Sequence, residues 1–151
     1  MNFKAYCDGS CYYKTKQGGV GVYITCGDKE WFISEGYYPT TISRMEMMAV
    51  LKAIEFTETG RIDVYSDSEY VVKSFTEGRL KKWAVSNFVG IKNSDLWLKI
   101  IDSLNKRPKL NFNIQHIRGH QKDITNENVF GNSVADILAN YKNFKIYKKD
   151  L

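Results

Sequence analysis

Residues 60–76 read GRIDVYSDSEYVVKSFT, and this stretch decides the architecture. Ile62, Val64 and Ser66 alternate with Asp63, Tyr65 and Asp67, the period of a strand, and the run ends in an aspartate. From Ser68 to about Thr76 the pattern turns helical, and Gly78 breaks it. Upstream, Ser43 to Glu58 reads as another helix. Ser43 and Glu46 form an S-x-x-E capping box, Met45, Met48, Ala49, Lys52, Ala53 and Phe56 recur near helical spacing, and Gly60 stops it. The strand over 62–67 is therefore bracketed by helices.

Working outward, residues 3–8 alternate as a strand ending at Asp8, with Phe3, Ala5 and Cys7 opposite Tyr6 and Asp8. Val20–Cys26 and Glu30–Glu35 are β-rich runs joined by the turn pair Gly27-Asp28. Downstream, Arg79–Ser86 suits a short basic helix, and Asn93 or Ser94 caps a helix through about Leu104. Leu110–His116 alternates as a fifth strand, and Gly119-His120 opens a polar loop. A last helix from about Asn132 is expected to turn Val134, Ile137, Leu138 and Tyr141 inward, with Asn132, Asp136 and Asn140 on the other face. A hairpin-led start followed by α/β alternation implies a mixed sheet with helices packed on it.

The composition fits that picture. At 151 residues, 43% hydrophobic and 26% charged, the chain can bury a core and is expected to form a single domain over residues 1–151. No stretch suits a signal peptide or a membrane span, so no membrane partner is expected. Cys7, Cys11 and Cys26 are an odd set without paired spacing, which argues against a disulfide scaffold and for a reducing compartment, the cytoplasm. A soft-metal reading of Cys7 and Cys11 lacks a second Cys or His pair. The net charge is +5, and from Lys73 to Lys109 nine Lys/Arg face three Asp/Glu. That segment nets +6 and the remainder −1, so the positive charge is gathered where a polyanion would meet it.

Asp8 and Asp67 close their strands, and Glu46 lies in the first turn of a helix. If the first and fourth strands are parallel neighbours, their carboxyl ends share an edge, where open α/β sheets place their sites. Asp136 on the last helix would complete the set. Gathered carboxylates raise one another's pKa unless a cation neutralises them, and hard divalent ions want oxygen ligands. Two such ions can activate a water and stabilise a departing oxygen in phosphodiester cleavage. Each residue also has a plain use: Asp8-Gly9 as a turn pair, Glu46 in its capping box, Asp67 as a helix cap, Asp136 as a solvated helix residue.

Taken together, Asp8-Gly9-Ser10, Arg44 to Ala49, Asp67 to Val71, Asp95-Leu96-Trp97, Gly119-His120 and Val134 to Ala139 resemble, in order, the signature of bacterial type 1 ribonucleases H, from about Lys4 to Asn140. The resemblance implies a ribonuclease H-like α/β fold: a five-stranded mixed sheet, three antiparallel strands then parallel additions, helices on both faces and a basic handle. It implies an endonuclease cutting the RNA strand of RNA–DNA hybrids by a two-metal mechanism, leaving 5′-phosphate and 3′-hydroxyl ends. Asp8, Glu46, Asp67 and Asp136 would hold two Mg²⁺ ions, with Mn²⁺ as a substitute, and His120 would aid proton transfer or product release. His116 reads as structural. Lys81, Lys82 and Trp83 would grip the hybrid from the handle, Gly9 and Ser10 would meet the minor groove, and Thr41 a DNA-strand phosphate. Ser43, Ser68, Glu69 and Asn132 stand at further substrate-contact positions. A monomer is expected.

The chain departs from relatives in places. Ile42-Ser43 replaces an Asn-Asn pair, Glu69 stands for Gln, and Tyr12 to Lys16 replaces a Gly/Pro-rich loop. These changes bear on substrate grip more than on chemistry. The stretch 121–131 reads as a long loop in which Asn126-Glu127 mimics the Asn-Glu that usually precedes the last aspartate. Phe130 stands where that register needs an acid, so Asn132 and Asp136 are aligned instead, with Asp123 and Glu127 as weaker fourth-ligand candidates. The rivals are another ribonuclease H-fold nuclease, the ribonuclease H part of a reverse transcriptase, and a hybrid- or RNA-binding module without catalysis. The natural-looking start and the basic segment favour a standalone enzyme.

Overall fold

A computed structural model describes residues 1–140, 142 and 144–151. Its elements run β1 (Asn2–Tyr12), β2 (Gln17–Cys26), β3 (Lys29–Tyr37), α1 (Ile42–Phe56), β4 (Gly60–Ser66), α2 (Glu69–Thr76), α3 (Arg79–Val85), α4 (Ser94–Asn105), β5 (Leu110–His116), α5 (Glu127–Ala139) and β6 (Tyr147–Lys148). They build one mixed sheet in the order β5-β4-β1-β2-β3-β6. β2 pairs antiparallel with β1 and with β3, whereas β4 adds parallel to β1 and β5 parallel to β4. The sheet has six strands where the sequence suggests five. The sixth, parallel to β3, has only two residues in a lysine-rich segment, too short for alternation to show.

Helices cover both faces. Ala5 and Cys7 point into the larger core with Met45, Ala49, Trp97 and Ile100, while Tyr6 and Tyr23 meet Ala135 of α5 on the other face. Cys7 Sγ donates to the Ala49 carbonyl and Cys11 Sγ to that of Thr40.

Three boundaries differ from expectation in ways that bear on the site. β1 runs past Asp8 to Tyr12, because its hairpin with β2 continues to Tyr12↔Gln17. Its parallel partner stops at Cys7↔Ser66, so Asp8 sits where the neighbour falls away rather than at a strand end. α1 starts at Ile42 with Thr41 as its cap, whose side chain accepts from Arg44 N–H at 3.3 Å. The S-x-x-E box therefore does not cap the helix, and Glu46 is left to face the interior.

α5 begins at Glu127, not Asn132, with Asn126 accepting from Asn128 and Val129 N–H. The supposed long loop is partly this first turn. The helix is also rotated from the expected face: Asn132 and Ala135 are buried, Val134 and Leu138 are half-buried, and Ile137 is exposed. A buried stripe of Val129, Gly131, Ala135 and Ala139 is too small-residue-rich to register as apolar periodicity. Tyr141 lies outside the described residues.

Candidate active site

Asp8, Glu46 and Asp67 come from β1, the first turns of α1 and the residue just past β4, and each offers a carboxylate oxygen within 4.8 Å of the others. Asp8 and Glu46 are 5% and 8% exposed. Gly9 makes the approach possible, since a Cβ there would lie 2.5 Å from the Glu46 backbone nitrogen. The Gly9 N–H donates to Asp8 Oδ1 at 2.9 Å. Asp136 stands outside the tight group, exposed on α5 of the opposite face, but near enough to help raise the Asp8 carboxyl.

Burial, then the neighbouring Asp67, then Asp136 push the Asp8 carboxyl up to about 9. Burial and the charges of Asp8 and Asp67 hold Glu46 far above the usual carboxylate range. Asp67 is raised chiefly by burial, and the nearby imidazoles of His120 and His116 pull against that. A carboxylate cluster this close and this dry needs positive charge to ionise fully. Glu46 Oε2 is buried with no hydrogen-bond partner, an acceptor waiting for a donor or a cation. An all-oxygen donor set suits a hard divalent ion.

Beside the cluster lies a cavity of about 270 Å³ lined by Asp67, His120, Gln121, Val129, Asn132, Ser133 and Asp136. His120 is exposed on the loop at φ 56°. Its neighbour Gly119 packs so close to Asp67 that a Cβ would sit 2.7 Å from Oδ2. Asn132 Oδ1 is a second buried acceptor without a partner. His116, read from sequence as structural, is exposed, with Nε2 3.3 Å from the Asp67 carbonyl oxygen. Its influence on Asp67 escapes sequence reasoning because strand alternation gives the side of a residue and not its distance from the next loop.

The remaining candidates fall around this centre. Ser10 donates to the Ala139 carbonyl and, with Asp136, Ile137 and Asn140, lines a groove of about 320 Å³. Thr41 and Ser43 stand in the entrance turn of α1 and Ser68 caps α2, accepting from Val71 N–H at 3.3 Å. Glu69 is exposed and faces Lys73 at 3.8 Å. Lys81 and Lys82 are exposed on α3. Trp83 is half-buried, its ring against Trp97 and Phe88 at centroid distances of 5.9 and 6.4 Å, so it anchors α3 to α4. Asp123 and Glu127 are exposed; Asp123 accepts from Thr125, and Glu127 pairs with Lys4 at 3.0 Å.

The family model for RNase H matches residues 2–143. The chain is 36% identical to a ribonuclease H of Trichodesmium erythraeum over 128 residues, covering 81% of this chain and 80% of that protein. It is 36% identical to one of Wigglesworthia glossinidia brevipalpis, covering 97% and 94%. Among solved structures, the RNase H domain of PFV superposes with a TM-score of 0.73 at 28% identity, covering 91% of each chain.

Proposed function

The chain belongs to the ribonuclease H family, and on that premise we propose that it cuts the RNA strand of RNA–DNA hybrids by two-metal-ion hydrolysis, leaving 5′-phosphate and 3′-hydroxyl ends. Asp8, Glu46, Asp67 and Asp136 would hold the ions, Mg²⁺ by preference and Mn²⁺ as a substitute. The observation that carries this reading is the convergence of three carboxylates from distant segments within 4.8 Å, one of them with a buried orphan oxygen. When bound, such ions generate a nucleophilic hydroxide at neutral pH and stabilise the oxygen that leaves.

The chain's own groups do the rest. The backbone around Gly9 and Ser10, beside the groove at Asp136, meets the ribose side of the hybrid, where a 2′-hydroxyl distinguishes RNA from DNA. Asn132 Oδ1, a buried acceptor left without a partner at the cavity, is free to take a hydrogen bond from the substrate. His120, exposed at its rim, carries a proton between the departing oxygen and solvent. Thr41 and Ser43 receive the DNA strand, with Ser68 and Glu69 beside Asp67. Lys81 and Lys82, held out on an α3 that Trp83 anchors, bind phosphates without reading sequence. The proposal extends to a single domain acting as a monomer in the cytoplasm. Among the described residues no helix is long and apolar enough to cross a membrane.

A strand-labelled RNA–DNA hybrid, incubated with and without Mg²⁺ or Mn²⁺ beside RNA and DNA duplexes, tests this reading. The expected result is metal-dependent scission of the RNA strand of the hybrid alone. Scission that survives chelation, or that falls equally on the DNA strand, overturns it, and folded protein that binds hybrid without cutting it is a binding module.

A further inference from the structure

The segment after α5 returns to the place where α1 begins. β6 lies parallel to β3 through Gly36↔Tyr147 and Tyr37↔Lys148, and Tyr38 N–H donates to the Lys148 carbonyl at 2.9 Å. Phe144 lies against Gly36, where a Cβ would meet the Phe144 Cβ and Cγ at 2.8 Å. Beyond this short strand Asp150 turns inward. Its Oδ2 accepts from Thr40 Oγ1 at 2.6 Å and from Arg44 Nε at 2.8 Å.

Arg44 has a second hold. Its Nη1 and Nη2 donate to the two oxygens of Asp95 at 2.9 and 2.7 Å, a bidentate pair, and Nη1 also reaches Asn93 Oδ1 at 3.4 Å. One guanidinium thus ties three elements: the C-terminal segment, the start of α4 and the first turn of α1. The two anchors are unequal, because the Asp95 side chain is 50% exposed and that of Asp150 only 13%. The drier Asp150 pair is the less screened by solvent and salt, whereas the Asp95 pair has the bidentate geometry. Thr40 is joined in turn to the β1–β2 hairpin, its N–H donating to the Lys16 carbonyl at 2.9 Å.

Thr41, Ile42 and Ser43 lie between these two tethered residues, Thr40 and Arg44, and Glu46 follows two residues later. We propose that Asp150 is a positioning residue for substrate. Through Thr40 and Arg44 it fixes the Thr41–Ser43 entrance turn against the hairpin and α4, so that the turn meets the DNA strand of the hybrid preformed. This rests on the reading of that turn as a DNA-strand contact. Removing the carboxylate leaves a hydroxyl and a guanidinium N–H without their acceptor and frees the turn to move, while the Asp8, Glu46 and Asp67 cluster keeps its own contacts.

The test uses the full chain with Asp150→Ala, Asp150→Asn and Asp150→Glu, read by melting temperature, by hybrid Kd in Ca²⁺, and by KM and kcat in Mg²⁺. Asp150→Ala is expected to raise Kd and KM about fivefold, within the range by which residues outside a site tune its coupling. kcat and the Mg²⁺ concentration for half-maximal rate should stay within about twofold. Asp150→Glu restores part of the affinity, and Asp150→Asn, which keeps the shape and loses the charge, falls between if Asp150→Ala does not fold. A lower melting temperature with unchanged Kd and KM makes the segment a structural strap only and overturns the proposal, as does a loss confined to kcat. The Kd arm judges Asp150 even where the wild type fails to cut, and that failure would count against the proposed function instead.

Discussion

Asp8 holds its carboxyl in the interior beside Glu46 and Asp67, with a pKa near 9 against an ordinary value of 3.8. The folded value is raised, so the unfolded chain releases this proton first as pH climbs. In metal-free protein the group therefore costs stability progressively between about pH 4 and pH 9, and costs nothing below that window. Asp8→Asn removes the titration and should raise the metal-free melting temperature at pH 7.5, by about 1–3 kcal/mol in stability. The gain should vanish near pH 4, and turnover should fall at least about 100-fold. Melting curves in chelator across that pH range, with rates in Mg²⁺, check both halves. Added Mg²⁺ should stabilise the wild type and the variant less, because a ligand that binds only the folded state lends its binding energy to it. A variant no more stable than wild type at pH 7.5 removes the electrostatic strain argued for this cluster. The nearness of Asp8 to Asp67 is legible in the sequence only on the condition that β1 and β4 are parallel neighbours, as they are, and not from strand ends, since β1 runs on to Tyr12. The inward turn of Glu46 is not, because Ser43-x-x-Glu46 spells a cap that the chain satisfies with Thr41 instead.

At the scale of elements, the placing of Asp136 depends on how closely α5 lies on the sheet. Gly21 and Gly131 set that distance: a Cβ on Gly21 would meet the Ala135 carbonyl at 2.2 Å, and one on Gly131 the Tyr6 ring at 2.5 Å. Gly131→Ala should cost about 1–3 kcal/mol by overpacking. It should also lower turnover more than a distant substitution of equal cost, because the whole helix, with Asn132 and Asp136, must lift. Chemical denaturation alongside single-turnover rates separates the two effects, and an unperturbed rate in a destabilised protein refutes the coupling. The three antiparallel strands and the parallel β4 are readable because each has alternation and a turn or helix stop. The start of α5 and the strand β6 are not: one buries glycine and alanine, and the other is two residues long. A capped, small-residue helix announces itself by Asn126 more than by hydrophobicity, and that signal is outweighed when Asn126-Glu127 is read as part of a different motif.

Across the whole molecule, charge is divided between a basic segment and an acidic centre. Residues 73–109 carry the net positive charge, and their exposed part includes α3. Lys81→Ala with Lys82→Ala should weaken hybrid binding and reduce the slope of log K against log salt by up to roughly 1.4–1.8, the release expected for two phosphate contacts. Stability should hardly change, since Trp83 and Leu80 still anchor the helix. A titration of Kd over salt concentration decides it, and an unaltered slope takes α3 out of the binding path. The charge asymmetry is visible in the sequence; that Trp83 serves as an anchor is not, because only the packing of Trp97 and Phe88 against it reveals the role.

The strand order has a further result for a chain made from its amino terminus. Its central strand, β1, is synthesised first, yet the acids proposed to work together stand at positions 8, 46, 67 and 136. A growing chain on the ribosome lacks the full set until α5, which carries the last of them, has been made. A copy that stops short of α5 lacks Asp136 and is expected to leave hybrids uncut, which a cleavage assay on such a shortened chain checks.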